Sequence, residues 1–141
     1  TTANVGLSEP VLNGLKGRSG LLKNSLLAAY GGNETTETAV AEGLAWLAKQ
    51  QRADGTWSLR GPYANGGLSE NKPAATAMAL LAFAGAGHTH QEGLYKVPVE
   101  KGLRFLLKAQ DEEGFFAKDA PERQKMYAQA QATIALCELY G

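Results

Sequence analysis

The chain repeats itself along most of its length, and this repeat restricts the fold more than any other feature of the sequence. A shift of 59 residues places the segment that contains Gly43 on the segment that contains Gly102. The matching pairs are Gly43/Gly102, Leu44/Leu103, Trp46/Phe105, Leu47/Leu106, Lys49/Lys108, Gln51/Gln110, Asp54/Glu113, Gly55/Gly114 and Trp57/Phe116. A repeat of this length is typical of supersecondary units that stack side by side and share one core.

The residues between the glycines favour helices. Ala and Leu together number 42 of 141 residues, whereas the β-branched Val and Ile number 6, so we predict an all-α fold. The helices are predicted over residues 21–30, 36–51, 73–84 and 98–110, with a last helix from about residue 121, or a few residues later, to 140. Asn71 is the expected N-cap of the third helix. Asp119 and Glu122 have the spacing of a capping box for the last helix.

Two kinds of helix alternate along the chain. Helices 36–51 and 98–110 are amphipathic, with one apolar stripe and one charged face. By contrast, residues 74–84 and 128–137 contain no charged side chain, and a helix that is apolar all round is expected to be buried on every side. We therefore predict two layers, with amphipathic helices outside and charge-free helices inside. Cys137 is expected to be a small buried thiol in the inner layer.

Charge and length exclude several classes of protein. Fourteen basic and fourteen acidic residues give a net charge of zero, which argues against binding to nucleic acid. No apolar run is long enough for a membrane span, and we recognise no targeting signal. We expect residues 1–19 to be a loosely ordered polar lead-in and residues 20–141 to form a single domain, with repeat copies at about 34–85 and 93–141. The chain begins with Thr1, so we expect it to be a piece of a longer protein.

Each repeat copy carries a glycine turn that is followed by an aromatic residue. Asp-Gly sequences favour tight reversals with a positive φ, and a glutamine at the end of a helix can bond unpaired backbone groups. The aromatic ring then folds back into the core. The predicted structural residues of the repeat are Gln51, Asp54, Gly55, Trp57, Gln110, Glu113, Gly114 and Phe116.

The repeat resembles a known sequence motif. Residues 42–57 and 101–116 follow the pattern Lys/Glu-Gly-Leu-x-aromatic-Leu, then Gln, then Gly-x-aromatic, which is similar to the QW repeat of the prenyltransferase and squalene–hopene cyclase superfamily. The stretches around residues 74–90 and 126–141 look most like repeat proteins of planctomycete bacteria. The resemblance covers about residues 34–141 and implies a partial α/α toroid built from helix pairs. The compartment stays open between the bacterial cytoplasm and the cell envelope.

The resemblance also implies where a ligand would bind, at the mouth of the inner ring near the starts of the inner helices. Asn71, Tyr127 and Gln129 lie at such starts, and Arg60 and Tyr63 lie in the long loop beside them. These five residues are the predicted pocket candidates. The expected ligand is an apolar or isoprenoid-like small molecule, and the expected partners are a second copy of the chain or the remainder of the toroid.

The catalytic motifs of the superfamily are not recognisable in residues 1–141. The cyclase reaction uses an Asp-rich acid, but the one acidic cluster, Asp111-Glu112-Glu113, is predicted to be a solvated turn. Gln129 stands where the protein prenyltransferases have a zinc-binding His, and His88-Thr89-His90 is predicted to be a polar loop. We therefore predict no catalytic residue, metal site or cofactor, and a non-catalytic binding or structural module. Two alternatives stay open, a part of a terpenoid-cyclase-like isomerase and a carrier of hydrophobic ligands.

Overall fold

The computed structural model describes residues 20–140, and side chains from residue 23 onward. All regular structure in this part of the chain is helical. The α-helices are α1 (Gly20–Tyr30), α2 (Glu34–Gln50), α3 (Lys72–Gly85), α4 (Lys96–Ala109) and α5 (Lys125–Tyr140), and a short 3-10 helix at Glu122–Gln124 precedes α5. These elements confirm the predicted helices to within a few residues at each end. The predicted lead-in and Gly141 lie outside the described residues.

The chain divides between Ala41 and Glu42 into two compact units, of which the structure describes residues 20–41 and 42–140. In the first unit, α1 ends at Tyr30, and the Gly31 that follows has a φ of +86°, which favours glycine. Asn33 caps the start of α2, because its Oδ1 accepts a hydrogen bond from the Thr36 amide at 3.0 Å. An ion pair of 2.5 Å between Lys23 and Glu37 joins α1 to the first turns of α2.

In the second unit, α3 packs against both α4 and α5. Asn71 is its N-cap as predicted, and the Asn71 Oδ1 accepts from the Ala74 amide at 3.1 Å. Leu80 and Phe83 on α3 are fully buried. The core around them is almost entirely apolar: Leu44, Trp57, Ala75, Ala77, Ala79, Leu80, Phe83, Ala84, Val99, Leu103, Leu106, Phe116, Ala132, Ala135 and Leu139. Burial of such side chains is the main favourable term in folding.

The glycine turns of the two repeat copies have the same backbone hydrogen bonds. In turn A, residues 51–57, the Arg52 amide donates to the Thr56 carbonyl at 2.9 Å and the Gly55 amide to the Arg52 carbonyl at 2.9 Å. In turn B, residues 110–116, the corresponding bonds run from Asp111 to Phe115 and from Gly114 to Asp111, both at 3.0 Å. Gly55 and Gly114 have φ values of +84° and +87°, which glycine adopts without strain.

Three sequence-based predictions are wrong in detail. α3 is not buried on every side, because Met78 is 51% exposed, and Cys137 on α5 is exposed rather than buried. Both face away from the contact between α3 and α5, in which α5 buries Ala128, Ala132, Ala135 and Leu139. The predicted capping box is absent as well. Pro121 precedes the 3-10 helix, and no side chain caps it.

Candidate functional site

An apolar cavity of about 260 Å³ lies between the second half of α2, the loop after turn A, and α3. Its lining is Trp46, Leu47, Gln50, Trp57, Ser58, Leu59, Tyr63, Ala75, Met78 and Ala79. Concave sites of this kind, with many apolar walls and few polar groups, are the usual places where small molecules bind.

Side chains of unequal size create the cavity. Ala75 and Ala79 are four residues apart on α3, so they share one helix face, and their short side chains leave space above them. Trp46 on α2 stands at the rim and is 47% exposed. Its ring lies 5.3 Å from the ring of Tyr63, centroid to centroid, at 51°. The cavity is therefore walled by aromatic rings on one side and a small-residue helix face on the other.

Trp57 lies deeper in the same wall and is held in position by three contacts. Its indole Nε1 donates to the Leu47 carbonyl at 2.7 Å. Its backbone amide donates to the Thr76 hydroxyl at 3.2 Å, and its ring lies 6.0 Å from the ring of Phe83. The indole nitrogen thus has a partner, which a buried tryptophan normally requires.

The Glu70 carboxylate anchors the loop that closes the cavity. It accepts hydrogen bonds from the Ser58 hydroxyl at 2.5 Å and from the Leu59 amide at 3.1 Å. The Asn71 amide donates to it at 3.1 Å, and the Arg52 guanidinium lies 3.7 Å away. Burial acts to raise the pKa of Glu70, but these donors and Arg52 outweigh burial and lower the pKa below its usual value. Glu70 is therefore a carboxylate at neutral pH.

Close backbone contacts fix the rest of this loop. The Tyr63 hydroxyl donates to the Ser58 carbonyl, and the Gly67 amide donates to the Leu59 carbonyl at 2.6 Å. A Cβ on Gly66 would lie 2.0 Å from the Arg60 carbonyl oxygen, so only glycine fits there. These contacts hold the phenol ring at the cavity rim.

Asp54 in turn A is a second strongly hydrogen-bonded carboxylate. The Thr56 hydroxyl donates to it at 2.6 Å, the Thr56 amide at 3.1 Å and the Lys72 ammonium at 3.0 Å. The Thr56 hydroxyl is the main cause of a pKa that is lowered to about 2, and Lys72 adds to this effect, while burial opposes it. Asp54 thus fixes turn A and holds the start of α3 beside it.

The five predicted pocket candidates lie in different places. Tyr63 lines the cavity. Arg60 is exposed on the same loop and is not part of the lining, and Tyr127 is 72% exposed on α5. Asn71 is buried, and its Nδ2 donates to the Gln124 side chain at 3.1 Å.

The Gln129 side chain is hydrogen-bonded to turn B. Its Oε1 accepts from the Phe116 amide at 2.8 Å, and its Nε2 donates to the Gly114 carbonyl at 3.1 Å. The side chain therefore acts as a clamp between α5 and the turn, and both ends of its amide have a protein partner.

Sequence reasoning missed most of the cavity walls. Trp46, Ala75, Met78 and Ala79 were not among the candidates. The sequence did contain one signal for the cavity. Ala75 and Ala79 lie four residues apart on a charge-free helix, and the preceding amphipathic helix carries the aromatic Trp46. Small residues and a nearby aromatic ring indicate that space is left between two helices. They do not indicate which face of α3 lies opposite Trp46.

The two histidines point to different neighbours. The His88 ring lies edge-on to Tyr95 at 5.0 Å, and the His90 ring lies 5.2 Å from Tyr140. Over residues 20–140, no group of three or more His, Cys, Asp and Glu side chains is arranged to hold a metal ion. Within the same range, no helix is both long and apolar enough to cross a membrane.

Comparison with known proteins identifies one family. The family model described as the squalene-hopene cyclase C-terminal domain matches residues 22–124, which is well over half of the chain. No curated protein and no solved structure matches significantly. The match and the all-helical structure confirm the predicted superfamily and the predicted fold of the α/α-toroid type.

Proposed function

Since the chain belongs to the squalene-hopene cyclase C-terminal domain family, we propose that it is a non-catalytic module that binds an apolar, isoprenoid-like small molecule in the cavity between α2 and α3. The cavity carries this proposal. Eight of its ten lining residues are aliphatic or aromatic, and none is a carboxylate, an imidazole, an amine or a thiol. At about 260 Å³ it is slightly smaller than the sites that enclose drug-sized ligands, so it suits one end of an isoprenoid chain.

The polar groups at the cavity support binding rather than proton transfer. The Tyr63 hydroxyl is bonded to the Ser58 carbonyl, and the Ser58 hydroxyl to Glu70. Glu70 is a carboxylate bonded to the lining residue Ser58, yet its lowered pKa leaves it without a proton to donate at neutral pH. A general acid needs a pKa near the working pH. Gln50 remains as a neutral hydrogen-bonding group for a polar head of the ligand.

Met78 and Ile134 allow a matched test of the cavity. The charge-free helices of the two copies match at a shift of 56 residues, as Leu80/Leu136 and Gly85/Gly141 show, because the loop before the second one is three residues shorter. Met78 and Ile134 therefore occupy corresponding positions on α3 and α5, at 51% and 52% exposure, but only Met78 lines the cavity. Farnesol is a suitable probe, with binding followed by isothermal titration calorimetry. We expect Met78→Glu to weaken farnesol binding at least about tenfold, because a carboxylate at an apolar wall must be desolvated. Ile134→Glu is expected to leave the affinity unchanged.

Two outcomes would contradict the proposal. One is an equal loss of affinity in both variants, since it would place the ligand on the exposed helix surfaces and not in the cavity. The other is an absence of farnesol binding by the unmodified chain. Solvent extraction of the purified protein followed by mass spectrometry adds a second readout, and an extract that contains apolar material would further favour the role of a carrier.

The family match itself favours one alternative, that the chain is part of a terpenoid-cyclase-like isomerase. The same preparation can be incubated with squalene and the products separated by gas chromatography. Cyclised products would assign catalysis to the protein and overturn the non-catalytic role, whereas farnesol binding without turnover supports it.

A further inference from the structure

The two glycine turns are chemically alike but have unequal surroundings. In turn A, the Gln51 side chain Nε2 donates to the Gly55 carbonyl at 3.0 Å and also to the Pro98 carbonyl of α4 at 2.8 Å. A Cβ on Gly55 would lie 2.6 Å from the Lys101 carbonyl oxygen. Turn A is therefore the surface on which the first turns of the next amphipathic helix, α4, are seated.

Turn B presents the same groups, but no helix within residues 20–140 is seated on them. The Gln110 side chain is exposed, and among the described residues its Nε2 donates to the Gly114 carbonyl alone, at 3.4 Å. Within the described part of the chain, a Cβ on Gly114 would meet only the Gln110 side chain, at 3.7 Å. Since turns A and B share their backbone hydrogen bonds, turn B is shaped for a helix like α4.

Burial on α3 and α5 differs between the two repeat copies, as the surroundings of turns A and B do. Ala77 and Leu80 on α3 are fully buried, whereas the corresponding Thr133 and Leu136 on α5 are exposed and half-buried. In the first copy, Leu80 lies against Gly102 of α4, so the second repeat covers this part of α3. The residues Gln110, Gly114, Thr133 and Leu136 form what we call the open edge.

The glycines of the amphipathic helices, Gly102 on α4 and Gly43 on α2, differ in the same contact between repeats. A Cβ on Gly102 of α4 would lie 3.0 Å from Trp57 and 3.1 Å from Leu80, so α4 is seated closely on the first repeat. A Cβ on Gly43 of α2 would meet no atom of the described residues within 4 Å. The glycine permits close approach of the helix, and this approach is realised at one copy only.

Charge indicates which kind of helix suits the open edge. Turn B contains Asp111, Glu112 and Glu113. The Asp111 carboxylate accepts from the Glu113 and Phe115 amides, whereas the Glu112 and Glu113 side chains are exposed and form no ion pair in the described part of the chain. α4 carries Lys101 directly before its glycine, but α2 carries Glu42 at that position.

We propose that the open edge binds the amphipathic helix of a further helix-pair repeat, one with a basic residue at the position that Lys101 occupies in α4. Gln110 donates to a carbonyl in the first turn of that helix, as Gln51 does to Pro98, and the basic side chain lies beside Glu112 and Glu113. A second copy of this chain would bring Glu42 to the acidic turn, so the open edge selects against α2. This inference does not depend on the ligand of the cavity.

A peptide with the sequence of residues 93–110 is the probe, and its Lys101→Glu form is the matched control. Binding of each labelled peptide to the full chain is measured by fluorescence anisotropy at low salt. We expect the basic peptide to bind about tenfold more tightly than the control, from one charge reversal beside two exposed carboxylates. The preference is expected to shrink as salt screens the pairs.

The double variant Glu112→Lys/Glu113→Lys locates the contact. Both side chains are exposed, so the variant is expected to fold like the parent. Its preference is expected to reverse in favour of the control peptide. Equal binding of both peptides to the parent, no binding of either, or an unreversed preference in the double variant would each overturn the proposal.

Self-association gives an independent readout. Sedimentation velocity is expected to show the parent chain as a monomer and the double variant as concentration-dependent oligomers, because its basic turn B now suits the acidic α2 of another copy. Adding Gly43→Trp to the double variant is expected to abolish these oligomers, since a large side chain blocks the approach of α2. Oligomers of the parent that Gly43→Trp abolishes would show that a second copy occupies the open edge and would overturn the charge selection.

Discussion

Gly43 and Gly102 form a matched pair that measures how closely α4 is seated on the first repeat. Both glycines lie within helices, α2 and α4, at the same position of the repeat. Replacement of an interior helical glycine by alanine stabilises a protein by about 1 kcal/mol where the new methyl group meets no obstacle. A Cβ on Gly43 would meet none of residues 20–140 within 4 Å, so Gly43→Ala is expected to raise the free energy of unfolding by about 1 kcal/mol.

At Gly102 the same gain is opposed by crowding. The new Cβ would lie 3.0 Å from the Trp57 ring and 3.1 Å from the Leu80 side chain. Both neighbours are buried, at 4% and 0% exposure, so neither can move freely. Overpacking of a core costs about 1–3 kcal/mol, and the net change for Gly102→Ala is therefore a loss of about 0–2 kcal/mol. The two variants are expected to differ by about 1–3 kcal/mol.

Equilibrium unfolding in urea, followed by far-UV circular dichroism, measures both free energies. Equal slopes against urea concentration show that the two variants expose the same surface on unfolding. Near-UV circular dichroism of the folded state adds a local readout, because Gly102→Ala is expected to change the signal of Trp57. If Gly102→Ala stabilises the protein as much as Gly43→Ala does, α4 is not confined by Trp57 and Leu80, and the reasoning from the repeat contact is refuted.

Three further predictions concern hydrogen bonds, and urea unfolding checks each of them. Gln51→Ala is expected to lower the free energy of unfolding by about 1–2 kcal/mol, because Gln51 joins turn A to α4. Gln110→Ala is expected to lower it by less than about 0.5 kcal/mol, since the bond from Gln110 to the Gly114 carbonyl is long. Equal losses of stability would contradict the proposed asymmetry of the turns. The Thr56 hydroxyl is the main cause that lowers the pKa of Asp54 from 3.8 to about 2. The ionised Asp54 therefore stabilises the folded protein by on the order of 1 kcal/mol at this half-exposed site. This stabilisation is present above about pH 4 and is lost as the pH falls towards 2. The parent and Asp54→Asn should therefore converge in stability on acidification, and a gap that is constant with pH would refute this. Asn71→Ala is expected to cost about 1–2 kcal/mol through loss of the cap of α3, whereas Asn71→Asp, which keeps the acceptor, should cost less.

Local signals in the sequence were sufficient for the helices and their ends. Asn71 and Pro73 mark the start of α3, and the stripe of Val99, Leu103 and Leu106 marks the buried face of α4. These features act over one or two turns of helix, so they can be recognised without knowledge of the neighbours. The repeat supplied the remaining information, because it showed that the two glycine turns play equivalent roles.

Features that depend on a neighbour were harder to predict. Met78 and Cys137 lie in charge-free helices, but Met78 borders the open cavity beside α2 and Cys137 is exposed on α5. Composition does not encode either position. Gln129 was interpreted as a residue at a pocket mouth, but its amide is bonded to turn B. The Glu70 carboxylate was not singled out, because its partners Ser58 and Arg52 lie more than ten residues away along the chain.

The thiol of Cys137 is exposed, so its chemical reactivity reports whether this part of α5 is accessible to solvent. Cys137 follows Ile134 on α5, and both side chains are open to solvent. As it is the single cysteine of the chain, its rate of alkylation can be measured without engineering and without competing thiols. Any molecule that covers this stretch of α5 will slow the reaction, and the time course of labelling will then record when the helix becomes shielded from water.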